Sequence, residues 1–489
     1  MIQPIPNLHC QHHIPQQLSV AGVIFGEDYL LELAVTSGFY KRSPRKIDAC
    51  SMLAAICSEA AKGSPSCNDL AASIESSQPG QGPSRQAVHL RMGEPLQAFV
   101  HKLLEDLIAG SISGATAHTS NLEDRQRQFG GYKRVLVQDS TIIKLPAHLF
   151  EEFSGVSNAH SQVCNARVQA TYDLLAQSLI NFSIDPYSKN DQSAAPELPI
   201  QADDLVLRDR GYLLPNEIQR HADAGADCIY RHKTGTIYLD PESGRPIDLP
   251  KMLRANGDLD ILVLLNNEER TPIRLVSAPV DEETANLRRM KAKKEAHGHN
   301  PLKAVLELMD GTILITTITP QKADFRTLLA IYGLRWRIEV IFKAWKSHLS
   351  FGHLHRVSKT QMLILLKARL FLITCSTNIL HRALDGSLWR KYRRRISLLK
   401  LIGFLAATPA NLLRALASLC RADHENLPHF LVSTGKLRDF AAFHQMKQMS
   451  GSAHRMEEPN GCADDSSHKQ DALHGSKDPG GRRTGNGRI

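Results

Sequence analysis

Residues 332–346, Tyr-Gly-Leu-Arg-Trp-Arg-Ile-Glu-Val-Ile-Phe-Lys-Ala-Trp-Lys, constrain the fold more than any other stretch of the chain. Read as a helix advancing about 100° per residue, they set Tyr332, Arg335, Glu339 and Lys346 within an arc of roughly 60°. Leu334, Ile338, Ile341, Phe342 and Trp345 fall on an adjoining arc of about 100°, the width that a helix buries against a core. One side must pack against a domain, while its neighbour presents a carboxylate among two cations and a phenol. An ordinary solvated helix face carries the same mixture, so the decision rests on two acidic signals upstream.

Residues 134–138 read as a short apolar strand ending on Asp139-Ser140-Thr141, where a turn is expected. Residues 168–174 and 177–184 read as a hairpin, and 204–208 as another strand that ends on Asp209-Arg210-Gly211-Tyr212. In open sheets with helices on their faces, the strand C-terminal rim is where ligands and reacting groups gather. A lone strand-end aspartate is a cap or turn residue; two of them, with a glutamate-bearing helix face, form a candidate site. Glu339 stands 130 positions beyond Asp209, far more than a direct return to the sheet requires. That interval holds strand-like runs at 228–232, 236–239, 260–265, 273–278 and 312–318. It also holds the cationic helical run Arg288, Arg289, Lys291, Lys293 and Lys294, which reads either as a solvated face or as a phosphate-contacting surface.

At 489 residues the chain is long enough for roughly two to four domains. A net charge of +9 is a modest bias towards a polyanionic partner. Nine cysteines, an odd number without paired spacing and with no signal peptide expected, point to reduced thiols and a cytoplasmic setting. The apolar run 362–380 carries Lys367 and Arg369 near its middle and reads as a buried helix, not a membrane span. His9, Cys10, His12 and His13 lack the second half that a four-ligand zinc site needs.

A first helix is expected around Asp28 to Val35 within an arm of little periodicity, and from residue 46 the pattern becomes helical. Residues 69–74 and 84–91 resemble a helix-turn-helix, with Ser84 as N-cap and Arg85, Gln86, His89 and Arg91 in reach of bases or phosphates. The loop at 79–83 is longer than that motif's turn, and a plain helical domain fits the same residues. Near the other end, Trp389 and the cluster Arg390, Lys391, Arg393, Arg394 and Arg395 read equally as a nucleic-acid grip or a helix surface. Beyond 445 the composition is that of a disordered tail.

Asp139, Asp209 and Glu339 resemble the DDE triad of the insertion-sequence-four family of bacterial transposases. The spacing Tyr332-x2-Arg335-x3-Glu339-x6-Lys346 is similar to that family's Y-R-E-K signature, and the residues around both aspartates resemble their usual contexts there. The resemblance covers about residues 46–380. It implies an α/β fold: an RNase H-like mixed-sheet core interrupted by a mostly β insertion, with an N-terminal all-α DNA-binding domain and a helical C-terminal region. The expected boundaries are an arm at 1–45, the DNA-binding domain at 46–125, core at 126–232, insertion at 233–318, core again at 319–385, C-terminal helices at 386–445 and a tail at 446–489.

The implied activity is cut-and-paste transposition: recognition of terminal inverted repeats, phosphodiester hydrolysis and strand transfer to target DNA by a homodimer on paired ends. Asp139, Asp209 and Glu339 would be catalytic by holding Mg²⁺, or Mn²⁺ in its place, as two ions. The chemistry agrees, since in-line exchange at phosphorus needs charge stabilisation on both attacking and leaving oxygens, and hard oxygen donors suit Mg²⁺. Tyr332, Arg335 and Lys346 would bind the transposon-end strand, with Arg210, Arg85, Arg91, Arg288, Arg289, Lys293 and Lys294 as further DNA contacts. For the interval between Asp209 and Glu339 the expectation is that no Trp serves as the aromatic wedge of a hairpin step, with Tyr212, Tyr230, Tyr238 and Phe325 as the aromatics weighed, so that wedge is unassigned. A metal-dependent nuclease of the same fold, or a silent DNA-binding derivative, shares these residues.

Overall fold

The computed structural model describes residues 24–41, 44, 46–77, 80, 82–113, 126, 129–155, 163–296, 300–352, 354–392, 395–407 and 441–442. The histidines at 9, 12 and 13, Cys10, Pro79 and Gln81 of the loop at 79–83, Arg393, Arg394 and the tail lie outside them. In chain order the elements begin with α1 (Glu27–Thr36), α2 (Ala49–Lys62), α3 (Cys67–Ser77), α4 (Arg85–Arg91) and α5 (Glu94–Ser113). Next come β1 (Arg134–Lys144), β2 (Asn165–Asp173), β3 (Ser178–Pro186), α6 (Asp191–Ala194), β4 (Asp204–Arg208), α7 (Pro215–Asp223) and β5 (Asp227–Arg231). They are followed by β6 (Tyr238–Leu239), α8 (Leu249–Asn256), β7 (Leu259–Leu265), β8 (Pro272–Pro279), α9 (Glu282–Glu295), α10 (Lys303–Glu307) and β9 (Gly311–Thr316). The helices α11 (Phe325–Gly333), α12 (Trp336–His348), α13 (Lys359–Thr374), α14 (Arg382–Tyr392) and α15 (Leu398–Ala407) follow β9.

One mixed sheet of nine strands, ordered β3-β2-β1-β4-β5-β9-β8-β7-β6, runs through the fold. β1, β4 and β5 are parallel neighbours, and every other pairing is antiparallel. The strand expected to stop at residue 138 continues to Lys144. Thr141, Ile142 and Ile143 are β-branched and keep pairing with β2, while the parallel ladder with β4 ends at Gln138↔Arg208. Asp139 is therefore mid-strand on one side and just past the last rung on the other.

Side-chain alternation divides the two layers. Val135, Val137, Leu205, Leu207 and Ile229 face a large core shared with α12, α13 and the N-terminal helices. Leu136, Val206, Cys228 and Tyr230 face a second core that continues under the later strands. The residues between β5 and β9 add β6, β7 and β8 to the same sheet, because β9 returns to pair with β5. The insertion also carries more helix than the mostly β expectation allows, in α8, α9 and α10.

The N-terminal helices are joined to this layer through α13, a helix with a Ser358/Gln361 capping box and an almost fully buried length. Arg369, fully buried, donates to Ala60 O at 3.0 Å, Gly63 O at 2.5 Å and Phe351 O at 3.3 Å. It thereby satisfies carbonyls left open at the C-terminal end of α2. Burial lowers its pKa to about 10, a cost that three acceptors offset. The described helices between residues 46 and 113 accordingly share their core with α13 and do not close one alone. Residues 359–386 form a helical stretch long and apolar enough to cross a membrane, yet 83% of its apolar window is buried inside the fold. Among the described residues, Cys57, Cys67, Cys164, Cys228 and Cys375 are free thiols.

Candidate active site

The alternation that puts Val135 and Val137 into the large core puts Asp139 on the same face one step further out. On β4, Leu205 and Leu207 do the same for Asp209, whose backbone stays extended at φ −78° and ψ 169°. With Gln138 opposite Arg208, Asp139 and Asp209 are the next positions in register on adjacent parallel strands, whose spacing is about 4.8 Å. Both face α12, which packs on β1 through Ile338, Ile341, Phe342 and Trp345, all buried as its apolar stripe requires.

Tyr332 to Lys346 is not one uninterrupted helix. α11 ends at Gly333 and α12 starts at Trp336, joined by a tight turn in which Arg335 N donates to Tyr332 O at 2.9 Å and Ile338 N to Arg335 O at 3.3 Å. Gly333, about 1 kcal/mol poorer than alanine in a helix, marks the weak point. The three-residue hydrogen bonds turn the chain faster than an α-helix does. That turn aims Arg335 into the site, where Nη1 meets Asp139 Oδ2 at 2.8 Å and Nη2 meets Glu339 Oε1 at 2.5 Å. The Tyr332 hydroxyl lies 3.4 Å from both Asp209 Oδ1 and Arg208 O. Asp139 and Glu339 thus share one guanidinium, and Asp209 meets the Tyr332 hydroxyl beside it. Burial opposes the Arg335 charge, but Tyr332, Asp139, Asp209 and Glu339 outweigh it and raise its pKa. As the side chains stand, no three His, Cys, Asp or Glu groups among the described residues form a metal cluster; the donors are hard carboxylates with a cation already between two of them.

The Asp139 carboxyl is pushed up from 3.8 to about 6, chiefly by burial and further by Asp209 and Glu339, against the opposite pull of Arg335 and the Ser140 N–H. A raised carboxylate pKa favours the fold below the unfolded value, and that contribution is lost as pH rises through about 6. An Asp139→Asn variant, neutral throughout, should therefore gain about 3 kcal/mol on the parent between pH 4 and pH 7 in chelator. Urea unfolding across that range measures it, and a pH-independent difference would contradict the buried-carboxylate account.

The other candidate contacts separate into two groups. Lys346 is exposed on α12, about 10 Å along the axis from Glu339, and Arg210 is exposed beside Asp209. Arg85, Lys293 and Lys294 are exposed. Arg91 instead donates to Phe39 O at 2.6 Å and lies over the Phe39 ring, Arg288 donates to Gly311 O at 3.1 Å, and Arg289 bridges Glu282 and Asp310. These three hold the fold's own elements together. A surface cleft of about 680 Å³, lined by His89, Glu94, His148, Arg356, Ser358 and Gln361, opens between α4 and the start of α13. Sequence reasoning misses Trp336, exposed at the first position of α12, and the polar groups behind the carboxylate strands. The former was visible inside the signature stretch, whereas the latter are scattered along the chain.

The sequence model of the family described as Transposase DDE domain matches residues 131–379. The chain is similar to the transposase for insertion sequence element IS231B of Bacillus thuringiensis subsp. berliner, 24% identical over 297 residues that cover 56% of this chain and 62% of that protein. It is also similar to the transposase for IS231F of Bacillus thuringiensis subsp. israelensis, 24% identical over 345 residues, 66% of this chain and 71% of that one. A solved piggyBac transposase synaptic complex with hairpin DNA resembles it with a TM-score of 0.40 and 9% identity, over 83% of this chain and 84% of that one. The chain spans 62% of the length of the first of these relatives. Because the family match takes in half of the chain, from the strand bearing Asp139 to the helix bearing Glu339 and beyond, this chain belongs to the transposase DDE domain family.

Proposed function

We propose that the chain is a metal-dependent cut-and-paste transposase of the insertion-sequence-four type, acting on the inverted-repeat ends of an insertion sequence in the bacterial cytoplasm. The observation that carries this reading is the in-register pair Asp139 and Asp209 facing the helix that bears Glu339, inside the family match. These three carboxylates are the residues that would hold divalent cations, Mg²⁺ as two ions, with Mn²⁺ able to substitute. Such ions, when bound, supply Lewis-acid stabilisation of the attacking and leaving oxygens and a nucleophile at neutral pH.

The chain's own contribution is positional. Asp139 and Asp209 are fixed by a sheet, Glu339 by a helix with a buried stripe, so the donors sit on rigid elements. Arg335, now shared between Asp139 and Glu339, has the planar fork that suits a phosphate and lies within reach of the scissile group. Tyr332 donates a hydrogen bond to the same strand, and Lys346 adds a point charge further along the helix. Arg210 extends this surface beside Asp209; Arg85 on α4 and Lys293 and Lys294 on α9 contact duplex phosphates away from the cut. We assign residues 126–232 and 319–385 to an RNase H-like core, 46–125 to end recognition, and a homodimer to the paired ends.

The test is a reaction of the full chain with a pre-cut inverted-repeat end and a supercoiled target. Joined products that need Mg²⁺ or Mn²⁺ are expected. End cleavage without joining would replace the reading by a nuclease, and end binding without either by a silent DNA-binding protein.

A further inference from the structure

The face of β1, β2 and β4 that points away from Glu339 should be apolar, yet it is polar where it lies behind the two aspartates. Gln138 and Gln169 are fully buried, and Arg167 is 7% exposed. Arg167 donates to Ser140 Oγ at 3.1 Å, to Lys189 O at 3.1 Å, and to the carboxylate of Asp191, with its guanidinium over the Tyr187 ring. Ser140, the neighbour of Asp139, donates from Oγ to Asp191 Oδ1 at 2.6 Å. Gln169 donates to Asp191 O and accepts from the Tyr212 hydroxyl, both at 2.8 Å. Asp191 Oδ2 also packs on Gly211, two residues past Asp209, where an added Cβ would stand 3.2 Å away. One carboxylate thus touches the segment of each aspartate.

This placement answers a structural need. The β1–β4 ladder stops at Gln138 and Arg208, so no backbone rung joins the segments that carry Asp139 and Asp209. A buried ion pair adds little net stability relative to an apolar pair of the same volume, and its use lies in geometry. We infer that Asp191, held by Arg167, is a positioning residue: from the reverse face it sets the separation of Asp139 and Asp209, and so the affinity of their site for a divalent cation. The inference rests on the reading of those aspartates as cation ligands. Groups that orient metal ligands from behind alter affinity about 10–100-fold when removed.

The test is direct Mn²⁺ titration of the full chain without DNA, followed by the paramagnetic signal of the free ion, alongside thermal unfolding. Asp191→Ala is expected to weaken Mn²⁺ binding about tenfold or more, whereas Asp191→Asn, which keeps the shape and the Ser140 contact, recovers most of it. Gly211→Ala, whose Cβ presses on Asp191 from the other side, is expected to weaken binding several-fold and decides the matter if Asp191→Ala does not fold. Parent-like affinity in Asp191→Ala, or in Gly211→Ala where that variant decides, overturns the inference; so does an Asn variant as weak as the Ala variant, which would mark a field effect. Asp139→Asn is the separate control: if it leaves Mn²⁺ binding intact, the cation-ligand reading itself falls, whatever Asp191 does.

Discussion

Alanine at Asp139, Asp209 or Glu339 is expected to lower end cleavage and joining by about 1,000-fold or more, with affinity for an uncut inverted-repeat duplex changed by less than about threefold. On the proposed reading the rate loss follows from removing a donor to cations whose charge stabilisation is worth several kcal/mol, each 1.36 kcal/mol being a factor of ten. Binding survives because duplex affinity comes from phosphate contacts by Lys and Arg, and none of the three carboxylates makes one. Stability in chelator should change little at Glu339, which is half-exposed, and should rise at neutral pH for Asp139→Asn, where a buried charge is removed. Single-turnover cleavage and a gel-shift titration on the same preparations separate the two effects. A variant that still cleaves at a tenth of the parent rate would remove its residue from the proposed site.

Much of this site could be read before any coordinates. Two apolar strands each running into an aspartate, and a helix with a buried stripe beside a charged one, are local patterns, and the described strands and helix follow them. The missing parts are those that depend on partners far away in sequence. That β1 runs past Asp139 depends on β2 continuing to pair with it, so Ser140 and Thr141 read as a turn when only the near sequence is weighed. Gly333 lies within a helical pattern, and the turn that follows it becomes informative only once Arg335 is seen between Asp139 and Glu339. The N-terminal helices look independent because their own periodicity is complete, but Arg369 reaches from α13 to Ala60 and Gly63, more than 300 residues earlier. Arg167 and Asp191 carry no motif at all. Their significance comes from lying behind two strands whose ladder stops one residue short of the carboxylates.

Trp345→Ala and Arg335→Ala should fail in different ways, which separates the packed side of the signature helix from its charged side. Trp345 is fully buried, with Phe182, Phe342 and Phe351 at centroid distances of 5.7, 5.0 and 5.4 Å. Its truncation is expected to cost about 3–5 kcal/mol, and added Mn²⁺ should not restore it, since the lost contacts belong to the core. Trp345→Phe should cost less, because the ring contacts remain and an indole N–H that has no acceptor among the described residues is removed. Arg335→Ala leaves the apolar stripe intact but strips the counter-charge from Asp139 and Glu339, so the carboxylates repel and Asp139 takes up a proton at a still higher pH. The expected loss in chelator is smaller, about 1–3 kcal/mol, and a divalent cation should recover most of it by supplying the charge that the guanidinium had supplied. The same variant should bind a cleaved end several-fold more weakly than the parent while binding the uncut duplex normally, because the role proposed for Arg335 is to hold the phosphate at the cut and not the flanking backbone. Thermal unfolding with and without Mn²⁺, and end-binding titrations, measure both. If Arg335→Ala were as unstable as Trp345→Ala and indifferent to Mn²⁺, Arg335 would be a structural ion-pair partner, and the phosphate role proposed for it would be withdrawn.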